Sequence, residues 1–124
     1  KPGVRIVAAE PRYGELVYGL RNLDEGYVPE LYDASLLDRR FQVGAHDALL
    51  RTRELLTREG LFSGLSGGAA VHVAVRLARQ AAQQGEAADI VALIPDSGWK
   101  YLSTGAYGDD LDAAAARLDG QLWA

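Results

Sequence analysis

The chain opens on a short run of β-branched and apolar residues, Val4 to Ala9, bounded by Pro2-Gly3 and by Pro11. A continuous apolar run between turn residues has no polar face to give to water, so the pattern predicts a buried strand ending at Glu10-Pro11. From Arg12 to Asp38 no period is sustained, and Gly14, Gly19, Gly26 and Pro29 punctuate the segment. It reads as loop with short turns, and irregular segments of that length in a compact domain are usually functional. Phe41 to Val43 predicts a second short strand. Beyond Gly44, the residues Ala48, Leu49, Thr52, Leu55 and Leu56 recur at helical spacing. A helix is therefore expected from about Ala45 to Glu59, with Gly60 as its left-handed cap.

Leu61 to Gly68 reads as a tight glycine-rich turn. After it, Ala69, Ala70, Val73, Ala74, Leu77, Ala78 and Ala81 stripe one face of a second helix expected to reach about Gln83, closed by Gly85. So small a face implies close packing on a sheet or another helix, with Arg76, Arg79, Gln80 and Gln83 left toward water. Ile90 to Ile94 predicts a third, fully apolar strand, ended by Pro95 and followed by the polar Asp96-Ser97-Gly98. Asp109 to Leu118 predicts a short Ala-rich helix with an acidic first turn. Strands alternating with helices place the chain in the α/β class with a parallel or mixed sheet. Three strands are few for a sheet whose faces must be covered and whose edges must be paired, so others are expected upstream of Lys1.

Composition narrows the function. Among 124 residues, 48% are hydrophobic and 24% charged, as in one soluble globular domain. No apolar run approaches the roughly 20 residues that span a bilayer, so no membrane role is expected. A net charge of −4, with basic residues interleaved among acids, argues against a nucleic-acid surface. Without cysteine, disulfides, thiolate metal sites and cysteine nucleophiles are excluded; two histidines without clustered partners make no metal site. From the absence of methionine Lys1 is expected to lie within a longer protein, and with no signal-peptide pattern the expected location is the cytoplasm.

Gly64-Leu65-Ser66-Gly67-Gly68 satisfies G-x-S-x-G, the nucleophile elbow of α/β-hydrolases. A serine hydrolase also needs an acid and then a histidine after the serine. The only later histidine, His72, lies six residues on in the same helix, an offset that turns it away from Ser66. A second reading uses the helix start, whose unpaired N–H groups and positive dipole end favour an anion. A third is structural: the glycines permit the turn and Ser66 caps the helix. A non-catalytic interaction module remains open at this level.

Taken together, Glu59-Gly60-Leu61-Phe62-Ser63-Gly64-Leu65-Ser66-Gly67-Gly68-Ala69 and Pro95-Asp96-Ser97-Gly98-Trp99-Lys100-Tyr101-Leu102-Ser103-Thr104 resemble the cysteine synthase family, pyridoxal-phosphate enzymes of fold type II. Val4 to Pro11 is similar to that family's strand ending in Glu-Pro, so the resemblance runs from end to end. Pro11-Arg12-Tyr13-Gly14-Glu15, Leu20-Arg21-Asn22-Leu23-Asp24-Glu25-Gly26 and the ending Gly120-Gln121-Leu122-Trp123-Ala124 are similar to the actinobacterial O-phosphoserine sulfhydrylases within it. The O-acetylserine-using members carry a glycine-rich loop where this chain has Gly19-Leu20-Arg21-Asn22. The resemblance implies part of a three-layer αβα sandwich: residues 1–119 belong to the C-terminal part of the cofactor-binding large domain, and residues 120–124 form an active-site tail.

For chemistry, the resemblance implies that the Ser66 hydroxyl lies against the pyridine nitrogen of pyridoxal phosphate, with Gly64 beside the same ring; Asp96 reads either as a hydrogen-bonding support near that ring or as a simple turn-forming residue. A neutral hydroxyl need not hold a pyridinium, which favours elimination at the β-carbon over transamination. Arg21 is expected to recognise a phosphate leaving group, since a guanidinium offers a fork of charge-assisted hydrogen bonds; Arg12 and Tyr13, in the same stretch, are its candidate helpers. The implied reaction is β-replacement on a small amino-acid substrate, O-phosphoserine or alternatively O-acetylserine, through an aminoacrylate that a sulfur nucleophile attacks. A thiocarboxylated ubiquitin-like sulfur carrier and a homodimer belong to the same implication. Gly120, Gln121, Leu122, Trp123 and Ala124 would fold into the cleft as a lid. The family's Schiff-base lysine, Ser-Gly-Asn loop and phosphate cradle have no counterpart here, and Lys100 reads as structural or solvated. The chain alone is expected to be inactive.

Overall fold

The computed structural model describes residues 2–118. The tail assigned to Gly120–Ala124 lies outside the described residues. Two strands, β1 (Val7–Pro11) and β2 (Arg39–Val43), pair in parallel from Val7 opposite Arg39 to Pro11 opposite Val43. Helix α1 (Ala45–Glu59), helix α2 (Leu65–Gln83) and the short helix α3 (Leu111–Ala116) complete the regular elements, with 3-10 turns at Leu23–Glu25, Ala34–Leu36 and Gly98–Thr104. β1 sits later in sequence than the apolar run suggests, because its ladder is set by the pairing with β2. Proline cannot donate to a ladder, so Pro11 is the last strand residue, and Arg12 N–H then donates to Val43 O at 3.3 Å.

Parallel strands need a crossover, and here the irregular segment 12–38 supplies it. It is tied down by two buried polar side chains, Glu10 and Asn22. Asn22 Nδ2 donates to Pro11 O at 2.9 Å, while its Oδ1 accepts from Asp24 N–H at 2.9 Å and so caps the first 3-10 turn. Glu10 accepts from Arg40 at 2.9 Å and from Leu23 N–H at 3.3 Å. A buried carboxylate is tolerated only when paired in this way.

α1 spans the residues its periodicity marks, and Gly60 closes it in the left-handed region at φ 68°. α2 differs from expectation: it begins at Leu65, so Gly67 and Gly68 lie inside its first turn rather than in a preceding loop. Packing accounts for this. A Cβ on Gly68 would stand 2.0 Å from Thr52 Oγ1 and 2.5 Å from Ala48 O, so only glycine lets α2 come this close to α1. Leu49, Leu65, Ala69 and Val73 fill the core between the two helices, and Ala114, Ala115 and Leu118 pack on it beside α3.

The expected third strand is not formed. Residues 90–94 have no ladder partner among the described residues, and Val91 and Leu93 are 89% and 80% exposed. An apolar run takes strand hydrogen bonds only when a neighbouring strand offers them. The sheet is therefore two-stranded among the described residues. Among the described residues no helix is long and apolar enough to cross a membrane.

Gly68→Ala tests the helix contact. Alanine favours an isolated helix over glycine by about 1 kcal/mol, yet the clash at Thr52 should leave a net loss of about 1–3 kcal/mol in urea unfolding.

Candidate functional site

Ser66 is the second residue of α2 and is 4% exposed. The turn before it is fixed by three consecutive backbone groups. Phe62 O accepts from Gly98 N–H at 3.0 Å, Ser63 O accepts from the Tyr107 hydroxyl at 2.6 Å, and Gly64 N–H donates to Asp96 O at 3.1 Å. Ser63 and Ser97 form an antiparallel bridge at the same place. Gly98 is held close enough that a Cβ there would lie 2.3 Å from the Tyr107 hydroxyl and 2.5 Å from the Phe62 ring. The segment after Pro95 thus acts as a template for the residues leading into α2.

Gly64 caps α2 without any side-chain hydrogen bond, so the structural reading in which Ser66 is the cap does not hold. The first N–H groups of α2 keep their free, positive character. At this turn the buried hydroxyl without a hydrogen-bond partner among the described residues is that of Ser63; Ser66 follows at the helix start. Gly19 lies over it: a Cβ on Gly19 would sit 3.5 Å from Ser66 Oγ and 3.7 Å from the Tyr101 hydroxyl.

Asp96 reaches the same corner. Its Oδ2 accepts from the Tyr101 hydroxyl at 2.6 Å and lies 3.7 Å from Lys100 Nζ. Its Oδ1 is buried without a partner among the described residues, and a Cβ on Gly64 would meet that oxygen at 2.1 Å. Burial, reinforced by the hydrogen bond to Asp96, pushes the Tyr101 phenol up to about 12. Burial, then the Asp96 charge, takes Tyr107 up to about 12 as well. Both phenols are therefore neutral donors at ordinary pH.

The loop residues divide. Arg21 is exposed, and its guanidinium stands 5.6 Å over the Tyr27 ring without a carboxylate partner among the described residues. Arg12 is engaged instead by Glu15 at 3.4 Å and Asp47 at 3.9 Å, beside the start of α1. Tyr13 is 70% exposed. The structure brings Ser66, Gly64 and Asp96 together, with Arg21 two residues beyond Gly19; Arg12 and Tyr13 sit at the other end of the loop. Sequence reasoning missed Gly19, Tyr101 and Tyr107. A signal existed in Tyr101, five residues after Asp96 in the Trp99-Lys100-Tyr101-Leu102-Ser103 motif.

The hydrolase geometry is not assembled. A nucleophile elbow strains its serine into a sharp turn, whereas Ser66 lies within a regular helix and no described residue other than glycine has positive φ. His72 lines a groove of about 300 Å³ with Arg51, Arg76 and Arg79, and Ser66 is not among the residues lining it. Burial lowers the His72 pKa, opposed by the Asp47 charge and reinforced by those three arginines.

Comparison with known proteins supplies the context. No family model matches the chain. The cysteine synthase of Aquifex aeolicus (strain VF5) is 35% identical over 109 residues, covering 87% of this chain and 33% of that protein. Cysteine synthase B of Salmonella typhimurium is 40% identical over 107 residues, covering 86% and 34%. The chain belongs to the cysteine synthase family. It spans about a third of the length of the curated cysteine synthases it matches. A solved O-ureido-L-serine synthase, 32% identical, superposes with a TM-score of 0.75 over 94% of this chain and 39% of its own. The cysteine synthase of Entamoeba histolytica, at 23% identity and a TM-score of 0.75 over 99% of this chain and 39% of its own, shares the fold. The architecture is thus part of the fold type II sandwich, and the cysteine synthase motifs at Ser66 and Asp96 are the two segments that meet at this corner.

The tyrosine pair generates a pH prediction. A phenol whose pKa is raised on folding stabilises the protein fully below its ordinary value of 10.0, and that contribution is lost as pH climbs toward 12. Urea stability should fall across that window, and the fall should be shallower in the Tyr101→Phe/Tyr107→Phe double variant, whose absorbance titration should lack the two latest-ionising phenols.

Proposed function

We propose that this chain is the C-terminal portion of a pyridoxal-phosphate-dependent cysteine synthase that replaces the phosphate of O-phosphoserine with a sulfur nucleophile. One observation carries the choice of substrate: Arg21, an exposed guanidinium without a carboxylate partner among the described residues, follows Gly19, which packs on Ser66. An uncommitted guanidinium suits a phosphate dianion, whereas an acetyl group would not need it.

The residues present fit a flat heteroaromatic ring at the Ser66 corner. A hydroxyl stands at a helix start whose first N–H groups are free, and the backbone of Gly19 passes beside it without a side chain. Bound pyridoxal phosphate supplies the electron sink that makes loss of a β-substituent possible. Ser66 would hold the ring nitrogen through its hydroxyl, and the positive end of α2 would disfavour a proton on that nitrogen. Asp96 and Gly64 would shape the ring's border, and Arg21 would orient the leaving phosphate without Arg12, which is paired with Glu15 and Asp47. In this reading residues 1–119 belong to the large domain. By the resemblance, the tail Gly120–Ala124, which lies outside the described residues, would act as a lid that keeps water out. A cytoplasmic homodimer taking sulfur from a thiocarboxylated ubiquitin-like carrier rests on the resemblance of the loop and tail motifs. Because the Schiff-base lysine has no counterpart in this chain, the chain alone is expected to be inactive.

In the full-length enzyme, Arg21→Ala should lower kcat/KM for O-phosphoserine by about 10²-fold while O-acetylserine changes by less than about threefold. Equal losses would instead favour an O-acetylserine enzyme. Ser66→Ala should weaken cofactor binding by about fivefold, read by titrating the cofactor's visible band; an unchanged affinity would remove Ser66 from the ring. Deleting residues 120–124 should divert turnover from cysteine toward pyruvate formed by water, and an unaltered product ratio would count against the lid.

A further inference from the structure

The geometry points to Tyr101 as a positioning residue that couples the loop carrying Arg21 to the Ser66 corner of the site. The inference rests on the substrate and cofactor reading above and adds the side chain that fixes the spacing between its two halves.

Two sets of contacts converge on this ring. On one side its hydroxyl donates to Asp96 Oδ2 at 2.6 Å, and its Cε2 lies where a Cβ on Gly64 would come within 2.7 Å. Asp96 O in turn accepts from Gly64 N–H, and Tyr101 O accepts from the Thr104 hydroxyl at 2.6 Å. The tyrosine is thereby anchored to the segment that shapes the start of α2. On the other side its ring stacks on Tyr18, with centroids 5.8 Å apart and planes inclined by 25°.

Tyr18 and Gly19 are the central residues of a tight turn closed by Leu20 N–H donating to Val17 O at 2.9 Å. Gly19 adopts φ +86°, which the third residue of a type II turn requires. Val17 is fully buried, so the turn has one fixed end, and Asn22, also fully buried, fixes the chain just beyond it. Between these anchors the Tyr18–Tyr101 stack and the approach of Gly19 to Ser66 and the Tyr101 hydroxyl join the core packing of Leu20 in setting where the chain carries Arg21. An aromatic stack constrains both distance and tilt, which an aliphatic contact of similar area does not. The hydroxyl adds a tie to Asp96, and its high pKa keeps it a donor across the working range, while the stack itself is made by the ring.

The test compares Tyr101→Leu and Tyr101→Phe in the full-length enzyme, with Tyr18→Leu to break the stack from the loop side. Tyr101→Leu and Tyr18→Leu should each raise KM for O-phosphoserine by about fivefold with kcat changed by less than about twofold. Tyr101→Phe, which keeps the stack, should restore KM to near the wild-type value. Amide hydrogen exchange across residues 17–22, which needs no turnover, should quicken in both leucine variants and not in Tyr101→Phe. Unchanged exchange in the leucine variants would overturn the coupling whatever the substrate. A loss confined to kcat, cofactor content and melting temperature would also overturn it, leaving Tyr101 a packing residue. Faster exchange in an enzyme whose wild type does not use O-phosphoserine would uphold the coupling and overturn the substrate reading.

Discussion

The carbonyls of Phe62 and Ser63 and the N–H of Gly64 are each hydrogen-bonded to the stretch that follows Pro95, and the site depends on those three ties. They act on backbone atoms, so they set the direction in which α2 starts before any side chain of the helix is considered. With α2 directed this way, Gly68 must pass over Thr52 and Ala48 with no room for a Cβ, and Ser66 is turned toward Gly19. Sequence-distant segments thus define one serine's position to within hydrogen-bond tolerance. Such precision on a regular element is what a site needs when it must hold a ligand atom rather than merely touch it.

The two sides of the site are built differently. The Ser66 side stands on a helix, a template segment and two tyrosines whose phenols stay protonated well into alkaline pH. The Arg21 side stands on an irregular crossover held at intervals by Glu10, Asn22 and a tight turn. The guanidinium itself is left to solvent and one aromatic face. Fixed dipoles are therefore gathered around Ser66, and the exposed Arg21 guanidinium is the more adaptable charge.

How far the sequence discloses this depends on where the determining contacts lie. α1 was legible almost to the residue, because its period, its apolar face and its glycine cap are all local. The loop from Arg12 to Asp38 was legible as irregular for the same reason. The start of α2 was not: glycine's low helix propensity pointed to a turn, and only the contact with α1, far away in sequence, reverses that preference. The third strand failed in the opposite sense. Ile90 to Ile94 has the composition of a strand, but a strand is a relation between segments, and no described segment pairs with it. Ser66 and Asp96 could be read from motif resemblance, whereas Tyr101 gains its meaning from the Tyr18 ring and could not be seen from spacing alone.

One further consequence follows from the parallel pair of β1 and β2. A crossover between parallel strands is commonly a helix, whose own packing restricts its sequence. Here the link is irregular and pinned at a few buried points, with most of its residues exposed. Substitutions between the pins cost the fold little, so this stretch can drift during evolution while the barrel of contacts around the serine stays constant. New chemical preferences would then arise by exchanging a handful of loop residues, without rebuilding the scaffold that carries them.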